Sequence, residues 1–452
     1  MPNLNRRLFI AAPCLLTLTA FSGGASAAAF QLQEQSASLL GSAFAGRSAD
    51  AHDISHMYFN PATLGVHLGH DPEAEVVLSY ISPTFDFEAE EVPDFSQAHP
   101  SQGEMPGQQS AGGGEDAFVP VFYAATDIIP GLRFGLGINV PYGMETDYPE
   151  DWVGRYDAVN TDLMTIDINP TLGWRVNEQL ALGVGLSAQY ADASLSSMVP
   201  EKTNEINNEH VPTLETDGDG KLTVEGDSWA YGFNLGAHFT PTHGTQLGIA
   251  YRHGMGHTLE GDADYQEGGA HTDGSTDGEA DLDIPASVNL GIAQQLHQRW
   301  TLLADATWTQ WSDFEELAIE KDASILPDHV DNEPETYDWD DTWMFSLGTR
   351  YDHSDQWDFR LGVAYDQTPT SDRYRTPRIP DEDRTWVALG GTWQPEAVSN
   401  LTVDFAYTYI WLDDAAITLA EDLAEQNAIN DPVEGEYESN VQVFAASANW
   451  RF

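Results

Sequence analysis

Some fourteen stretches of alternating or β-rich sequence, separated by gaps that are short and long in turn, dominate this chain. They fall near 75–87, 117–126, 132–140, 163–176, 180–195, 222–239, 245–259, 282–296, 300–317, 342–351, 357–366, 385–393, 401–411 and 439–452. Side chains on a strand point alternately to opposite faces, so each stretch has two distinct rows. Leu180, Leu182, Val184, Leu186, Ala188 and Tyr190 make one row; Ala181, Gly183, Gly185, Ser187, Gln189 and Ala191 make the other. Short gaps at 129–131, 176–179, 241–244, 297–299, 352–355 and 395–400 alternate with long polar ones. The long gaps are 89–116, 141–162, 196–221, 260–281, 318–341, 367–384 and 413–438. A soluble sandwich also has many short strands, but it does not require short and long connections to alternate. A membrane barrel does, with short turns on one side and long loops on the other. The expected fold is therefore all-β, a transmembrane antiparallel barrel of about fourteen strands.

Both ends of the chain agree with an outer-membrane address. The final strand places Phe444, Ala446, Ala448, Trp450 and Phe452 on one face and Val443, Ala445, Ser447 and Asn449 on the other. Aromatic girdles of this kind sit at lipid–water boundaries. At the start, Arg6 and Arg7 precede an apolar run from Leu8 to Phe21, followed by Ala25-Ser26-Ala27, the pattern of a cleaved secretory signal. No later stretch has the roughly twenty apolar residues of a spanning helix. The expected layout is a signal peptide over 1–27, an amino-terminal hatch over 28–72 and the barrel over 73–452. Cys14 is the only cysteine, so no internal disulfide is expected in the mature chain.

Charge excludes several partners. Without Arg6 and Arg7 the chain carries 16 basic against 73 acidic residues, a formal net of about −57. Such a surface repels nucleic acid and anionic lipid, and it fits a solvated exterior in a salt-adapted bacterium. Asp217-Gly218-Asp219-Gly220 resembles part of a calcium loop, but the position that needs a bidentate Glu is Gly226. No metal and no cofactor is expected. The chain has no G-x-S-x-G, no H-E-x-x-H and no paired Cys set, and His52/His56 and His253/His257 read as hydrogen-bonding pairs. An enzyme is not expected.

The segment before the first strand carries a specific resemblance. It runs Ala29-Phe30-Gln31-Leu32-Gln33-Glu34-Gln35-Ser36-Ala37, through Gly41 and Gly46, to Asn60-Pro61-Ala62-Thr63-Leu64. Further on stand Asp283-Ile284-Pro285-Ala286, Trp308-Thr309-Gln310-Trp311-Ser312-Asp313-Phe314 and the stretch from Arg378 to Trp386. Together these resemble the FadL family of outer-membrane long-chain fatty acid transporters, over essentially the whole mature chain. The resemblance implies a fourteen-stranded barrel with an amino-terminal hatch carrying Asn60, Pro61 and Ala62. It also implies capture of a hydrophobic solute in the lumen and its sideways release into the membrane beside a kinked third strand. Here that strand reaches Pro141, Tyr142 and Gly143; proline lacks a ladder N–H and glycine weakens pairing, although Pro141 equally suits a plain strand end. Phe30, Leu32, Leu39, Leu40 and Phe44 would line an apolar corridor or simply pack the hatch.

Cargo stays open at this level. The positions where family members place basic residues fall near Ser196-Ser197 and Ala318, and neither is basic. Arg155, Arg360, Arg378 and Arg384 are the substitute partners for a carboxylate, each with acidic neighbours that compete for it. The expected function is outer-membrane transport of long-chain fatty acids or related hydrophobic compounds. The alternatives are an uptake channel for uncharged hydrocarbons or aromatics, and a surface binding protein such as an adhesin or phage receptor. The expected partners are a hydrophobic small molecule and outer-membrane lipid, with a monomeric protein.

Overall fold

A computed structural model describes residues 28–66, 72–92, 107–199, 202–206, 209–213, 219–266, 274–321, 334–421 and 432–452. The expected signal peptide over 1–27 lies outside the described residues, as do parts of several long connections and Asp217 and Gly218. Fourteen antiparallel staves close into one barrel. They are β1 (Glu73–Glu91), β2 (Ala117–Ile129), β3 (Leu132–Asn139, then Gly143–Asp147), β4 (Asn160–Arg175) and β5 (Leu180–Val199). Next come β6 (Gly220–Thr242), β7 (Thr245–Arg252, then Met255–Gln266), β8 (Gly274–Ile284, then Ser287–His297) and β9 (Trp300–Thr309). The last five are β10 (Thr342–Ser354), β11 (Trp357–Asp366), β12 (Arg384–Trp393), β13 (Leu401–Leu412) and β14 (Val433–Arg451). Closure is direct: β1 pairs with β14 from Glu73↔Arg451 to Glu91↔Glu434. A closed sheet satisfies every strand edge, which a bilayer demands because it offers no hydrogen bonds.

The alternation read from the sequence becomes lipid and lumen faces. Leu182, Val184 and Leu186 on β5 are exposed, whereas Ala181, Ser187, Gln189 and Ala191 are buried. On β14, Phe444 and Trp450 face out while Val443, Ala445, Ser447 and Asn449 face in. Exposed Trp174, Trp300, Trp393 and Phe452 ring the end with the short turns; Trp229, Trp343, Tyr365 and Trp411 ring the other. These are the two girdles of a membrane band.

Several staves run beyond the spans expected from the sequence. β6 has 23 residues and β5 has 20, against roughly ten needed to cross. The ladders continue above the bilayer, where both faces meet water and the composition turns polar, so 196–199, 260–266, 274–281 and 433–438 read as loops. The ninth stretch is corrected the other way. β9 ends at Thr309, and a 3-10 turn, Trp311–Asp313, follows where one strand to 317 was expected. The third strand does not end at Pro141: it breaks there and resumes at Gly143.

Residues 28–66 fill the lumen. Their only regular structure is three single turns, Ala37–Leu40, Ile54–Met57 and Thr63–Val66, too short to be stable alone. Ala29, Ala43 and Phe44 hold positive φ angles of 56°, 50° and 60°, conformations that cost L-residues roughly 1–2 kcal/mol each. The barrel wall therefore imposes this path. It does so through inward-facing glycines on nine staves: Gly135, Gly173, Gly183, Gly236, Gly248, Gly291, Gly348, Gly362 and Gly390. A Cβ on Gly183 would collide with the Pro61–Ala62 peptide, and one on Gly362 with the Ser42 carbonyl. The plug backbone rests on bare wall backbone at these points, the close approach that glycine alone allows.

Candidate functional site

Above the plug lies an apolar cavity of about 740 Å³ counted to its open mouth. Phe30, Leu163, Leu259, Leu282, Phe314 and Leu317 line it. Gly226 on β6 and Gly278 on β8 face it without side chains, and both stand opposite Gly261 of β7. That inward glycine row makes room for the cavity. Two segments fold in to form its far wall. The turn after β9 carries Trp311, Phe314 and Leu317; it is tied back by Gln310 N–H donating to Ala286 O at 2.9 Å. The connection between β11 and β12 brings in Arg378 and Ile379, turned by Ile379 N–H to Thr376 O at 3.1 Å.

Phe30 forms the boundary between plug and cavity. Its ring packs edge-on to Trp311 at 5.0 Å and to Phe314 at 5.7 Å, with Trp339 and Tyr142 both at 5.9 Å. Edge-to-face geometry is favourable by roughly 0.5–1.5 kcal/mol per pair beyond area burial. Of the plug's other expected lining residues, Leu32, Leu39, Leu40 and Phe44 pack with Val77, Ile81, Trp386 and Ile410 in a separate core against the wall. Phe44 meets Phe59 at 5.7 Å and Trp386 at 6.2 Å.

The four candidate arginines separate clearly. Arg155 is buried with Asp219 at 3.1 Å and Tyr156 Oη at 2.6 Å. Arg360 donates to Thr392 at 2.7 Å and to Asp404 at 3.4 Å. Arg384 is clamped on Asp381, with Nε at 2.8 Å. Arg378 alone reaches the cavity, held by long contacts: Glu335 at 3.3 Å, and the Asn160 and Ser196 carbonyls at 3.4 Å. Glu225 and Glu279 also border the cavity.

The third-strand residues stand at a break in the wall. Ala117–Val121 of β2 ladder with β1 but with no residue of β3, whose pairing stops at Phe122↔Ile138. Pro120 and Pro141, neither with an N–H, flank that gap. The plug supplies the missing bonds from inside. Leu32 N–H donates to Pro141 O at 2.8 Å, Gly143 N–H to Phe30 O at 2.9 Å, and Gln35 Nε2 to Val140 O at 2.6 Å. Tyr142 is bridged to Gln31.

Asn60, Pro61 and Ala62 sit where the plug turns against β5 and β6. Asn60 Nδ2 donates to Ser48 O at 2.7 Å and Ala237 O at 3.2 Å, and its Oδ1 accepts from Ala62 N–H at 3.0 Å. The side chain thus ties two plug segments to the wall, and Pro61 continues the turn without an N–H to satisfy.

Charged contacts that the sequence reading did not single out complete the seat. Arg47 meets Asp305 at 3.3 Å, Arg350 pairs with Asp50, and Arg252 donates to Tyr58 O at 2.7 Å. Each joins residues more than 190 positions apart, and no local pattern marks them. Gln31, Gln33, Arg47, Arg252 and Asn289, with Tyr58 and Phe59, surround a chamber of mixed polarity of about 460 Å³ beneath the apolar cavity. His56 contacts Asp53 at 3.6 Å and His52 contacts Asp358 at 3.7 Å. Although burial opposes it, Asp53 raises the proton affinity of His56 above that of an ordinary histidine. Burial pushes the Glu34 carboxyl up to about 7, against the backbone N–H of Glu34, Arg384 and the backbone N–H of Gln33. The carboxylate oxygens of Asp53, Glu75 and Asp404 lie within 4.8 Å of one another, a spacing that could hold a cation. Arg360 and His56 already place positive charge beside two of the three.

Known proteins share this architecture. The family model described as outer membrane protein transport protein (OMPP1/FadL/TodX) matches residues 18–452. The long-chain fatty acid transport protein of Escherichia coli O6:H1 is 25% identical over 430 residues, spanning 89% of this chain and 92% of the relative. The 47 kDa outer membrane protein of Pasteurella multocida is 29% identical over 408 residues, spanning 87% and 89%. Among solved structures, a Pseudomonas aeruginosa FadL homologue superposes with a TM-score of 0.81 at 26% identity, covering 94% of this chain and all of that one. The Pseudomonas putida toluene transporter TodX shares the fold, with a TM-score of 0.68 at 17% identity over 94% of this chain and all of its own.

Proposed function

The chain belongs to the OMPP1/FadL/TodX family of outer-membrane transport proteins, and from its cavity we propose that its cargo is a long-chain fatty acid. The carrying observation is the apolar cavity with one cationic side chain, Arg378, at its edge. An acyl chain gains roughly 0.8 kcal/mol for each methylene it buries there. A guanidinium held only by contacts of 3.3 Å or more can exchange them for a carboxylate headgroup through charge-assisted bonds.

The geometry also favours a sideways path. Directly below the cavity the plug fills the lumen and buried ion pairs at Arg47 and Arg252 cross it, so a greasy solute moving downward would have to displace them. Beside it, among the described residues, the β2–β3 gap is closed from within by residues 30–35 of the plug. In this reading the solute displaces Phe30 from its aromatic surround, the bonds from Leu32 to Pro141 and from Gly143 to Phe30 are lost, and the solute leaves through the wall. A first segment removed on export, a plug over 28–72 and a barrel acting as a monomer complete the proposal. A closed wall leaves no strand edge for a second copy to extend.

A second reading is uncharged hydrocarbon as cargo. It is favoured by Glu225 and Glu279 at the cavity and by the existing Arg378–Glu335 pair, which oppose an anion. Arg378→Met separates the two. Under the fatty-acid reading, uptake of labelled oleate by a transporter-null strain falls at least tenfold through KM while toluene uptake is unchanged. Equal oleate uptake by variant and wild type refutes a carboxylate partner at Arg378.

A further inference from the structure

The ladder between β6 and β7 also fails, beside the outer cavity. It runs from Lys221↔Gln266 to Asp227↔Glu260, and resumes at Asn234↔Arg252. Between these points six residues, Ser228–Phe233, face seven, His253–Leu259, without ladder pairing; His253 N–H to Phe233 O at 2.9 Å marks the lower end. The neighbouring β5–β6 ladder is unbroken from Gly220↔Val199 to Phe239↔Leu180, so the lapse belongs to this seam. Unpaired backbone in a membrane wall is costly and persists where it is covered or lines a path.

Side chains close the seam. On its outer side Trp229 and Tyr231 are 51% and 75% exposed, at the level of the outer girdle. On its inner side β6 offers only small side chains, at Ser228, Ala230 and Gly232. The Met255 thioether lies against Gly232, where a Cβ would come within 2.8 Å of its sulfur. Methionine is unbranched and flexible, and moves aside at little cost. Ala230, Met255 and Leu259 belong to the same buried apolar cluster as Phe30, Leu163 and Phe314, and Leu259 itself lines the outer cavity. Unlike the β2–β3 break, this seam shows, among the described residues, none of the hydrogen bonds that join residues 30–35 to Val140, Pro141 and Gly143.

We propose that the β6–β7 seam is a second lateral passage, through which an apolar solute in the outer cavity enters the outer leaflet beside Trp229 without movement of the plug. Met255 is its gate. The proposal rests on the transport reading above, and its test separates the two.

Cysteine pairs are placed across each break, Ser228→Cys with Leu259→Cys at the seam and Ala117→Cys with Gly143→Cys at the β2–β3 gap. A short bis-maleimide joins any pair that does not oxidise. Uptake of labelled oleate and toluene is then compared in linked and unlinked protein. Linking the seam is expected to lower uptake of at least one solute fivefold or more, with recovery when the disulfide is reduced. In parallel, Met255→Ala raises the initial rate and Met255→Trp lowers it, with folding checked by heat-modifiable gel mobility. Unchanged uptake with the seam linked, together with loss on linking β2–β3, overturns the second passage and leaves transport standing. Absence of uptake by wild-type protein overturns the transport reading and this proposal with it.

Discussion

Replacing Glu34 by glutamine should remove a pH-dependent weakness in the seating of the plug. Glu34 is 3% exposed, and its Oε2 has no hydrogen-bond partner among the described residues. Burial raises its carboxyl from an ordinary 4.5 to about 7. The seated plug therefore prefers the protonated form, so this group's contribution is greatest at low pH and is lost as pH rises from 4.5 through 7. At 1.36 kcal/mol per tenfold change in proton affinity, full ionisation costs about 3 kcal/mol. Between pH 5 and pH 8 the linkage relation gives about 2.5 kcal/mol, roughly a 70-fold rise in the ratio of released to seated plug. Purified protein in planar bilayers, with hydrogen exchange over residues 28–66, measures that ratio. Wild type should show more frequent opening and faster exchange from pH 5 to 8, while Glu34→Gln shows a shallower slope and tighter seating at pH 8. Glutamine keeps an oxygen for the backbone N–H groups of Gln33 and Glu34, so the comparison isolates charge. Identical slopes in the two proteins would refute the argument.

Asn60→Ala leaves the Ser48 and Ala237 carbonyls and the Ala62 N–H without their partner; plug seating should weaken by about 2–4 kcal/mol, read as faster hydrogen exchange in 41–66 with the barrel still heat-modifiable on gels. Gly183→Ala drives a methyl into the Pro61–Ala62 peptide and should raise protease sensitivity of the plug, whereas Ala181→Gly on the same strand face should not.

The barrel was legible because its signal is local. Period-two alternation in 180–191 or 441–452 can be read in a dozen residues, and β5 and β14 face lipid and lumen as that alternation requires. Strand ends were less legible: above the bilayer the staves of β5, β6 and β14 have no hydrocarbon to face, so their polar sequence resembles loop. The candidate site was legible only as an inventory. Four arginines could meet a carboxylate, but Arg155 and Arg360 pair with Asp219 and Asp404, 64 and 44 positions away, and only the folded chain leaves Arg378 at the cavity. Leu39, Leu40 and Phe44 are as apolar as Phe30, yet the plug's path turns them to the wall. The glycine belt shows the same division, since each glycine lies on an inward position that alternation marks, but its purpose emerges only where the plug backbone lies against it.

Residue order alone was enough for the barrel, its outer-membrane address and the number of its staves, because a bilayer and a wet lumen sort side chains by a rule that acts residue by residue. Where the wall opens is different in kind. The β2–β3 gap and the β6–β7 seam are failures of pairing between strands whose registers are set by the whole closed sheet. The plug's seat depends on ion pairs such as Arg47–Asp305 and Arg350–Asp50 that bridge hundreds of residues. Alternation sets the face each residue takes; the closed tertiary structure sets which neighbours it meets, and the proposed route for cargo follows from those neighbours.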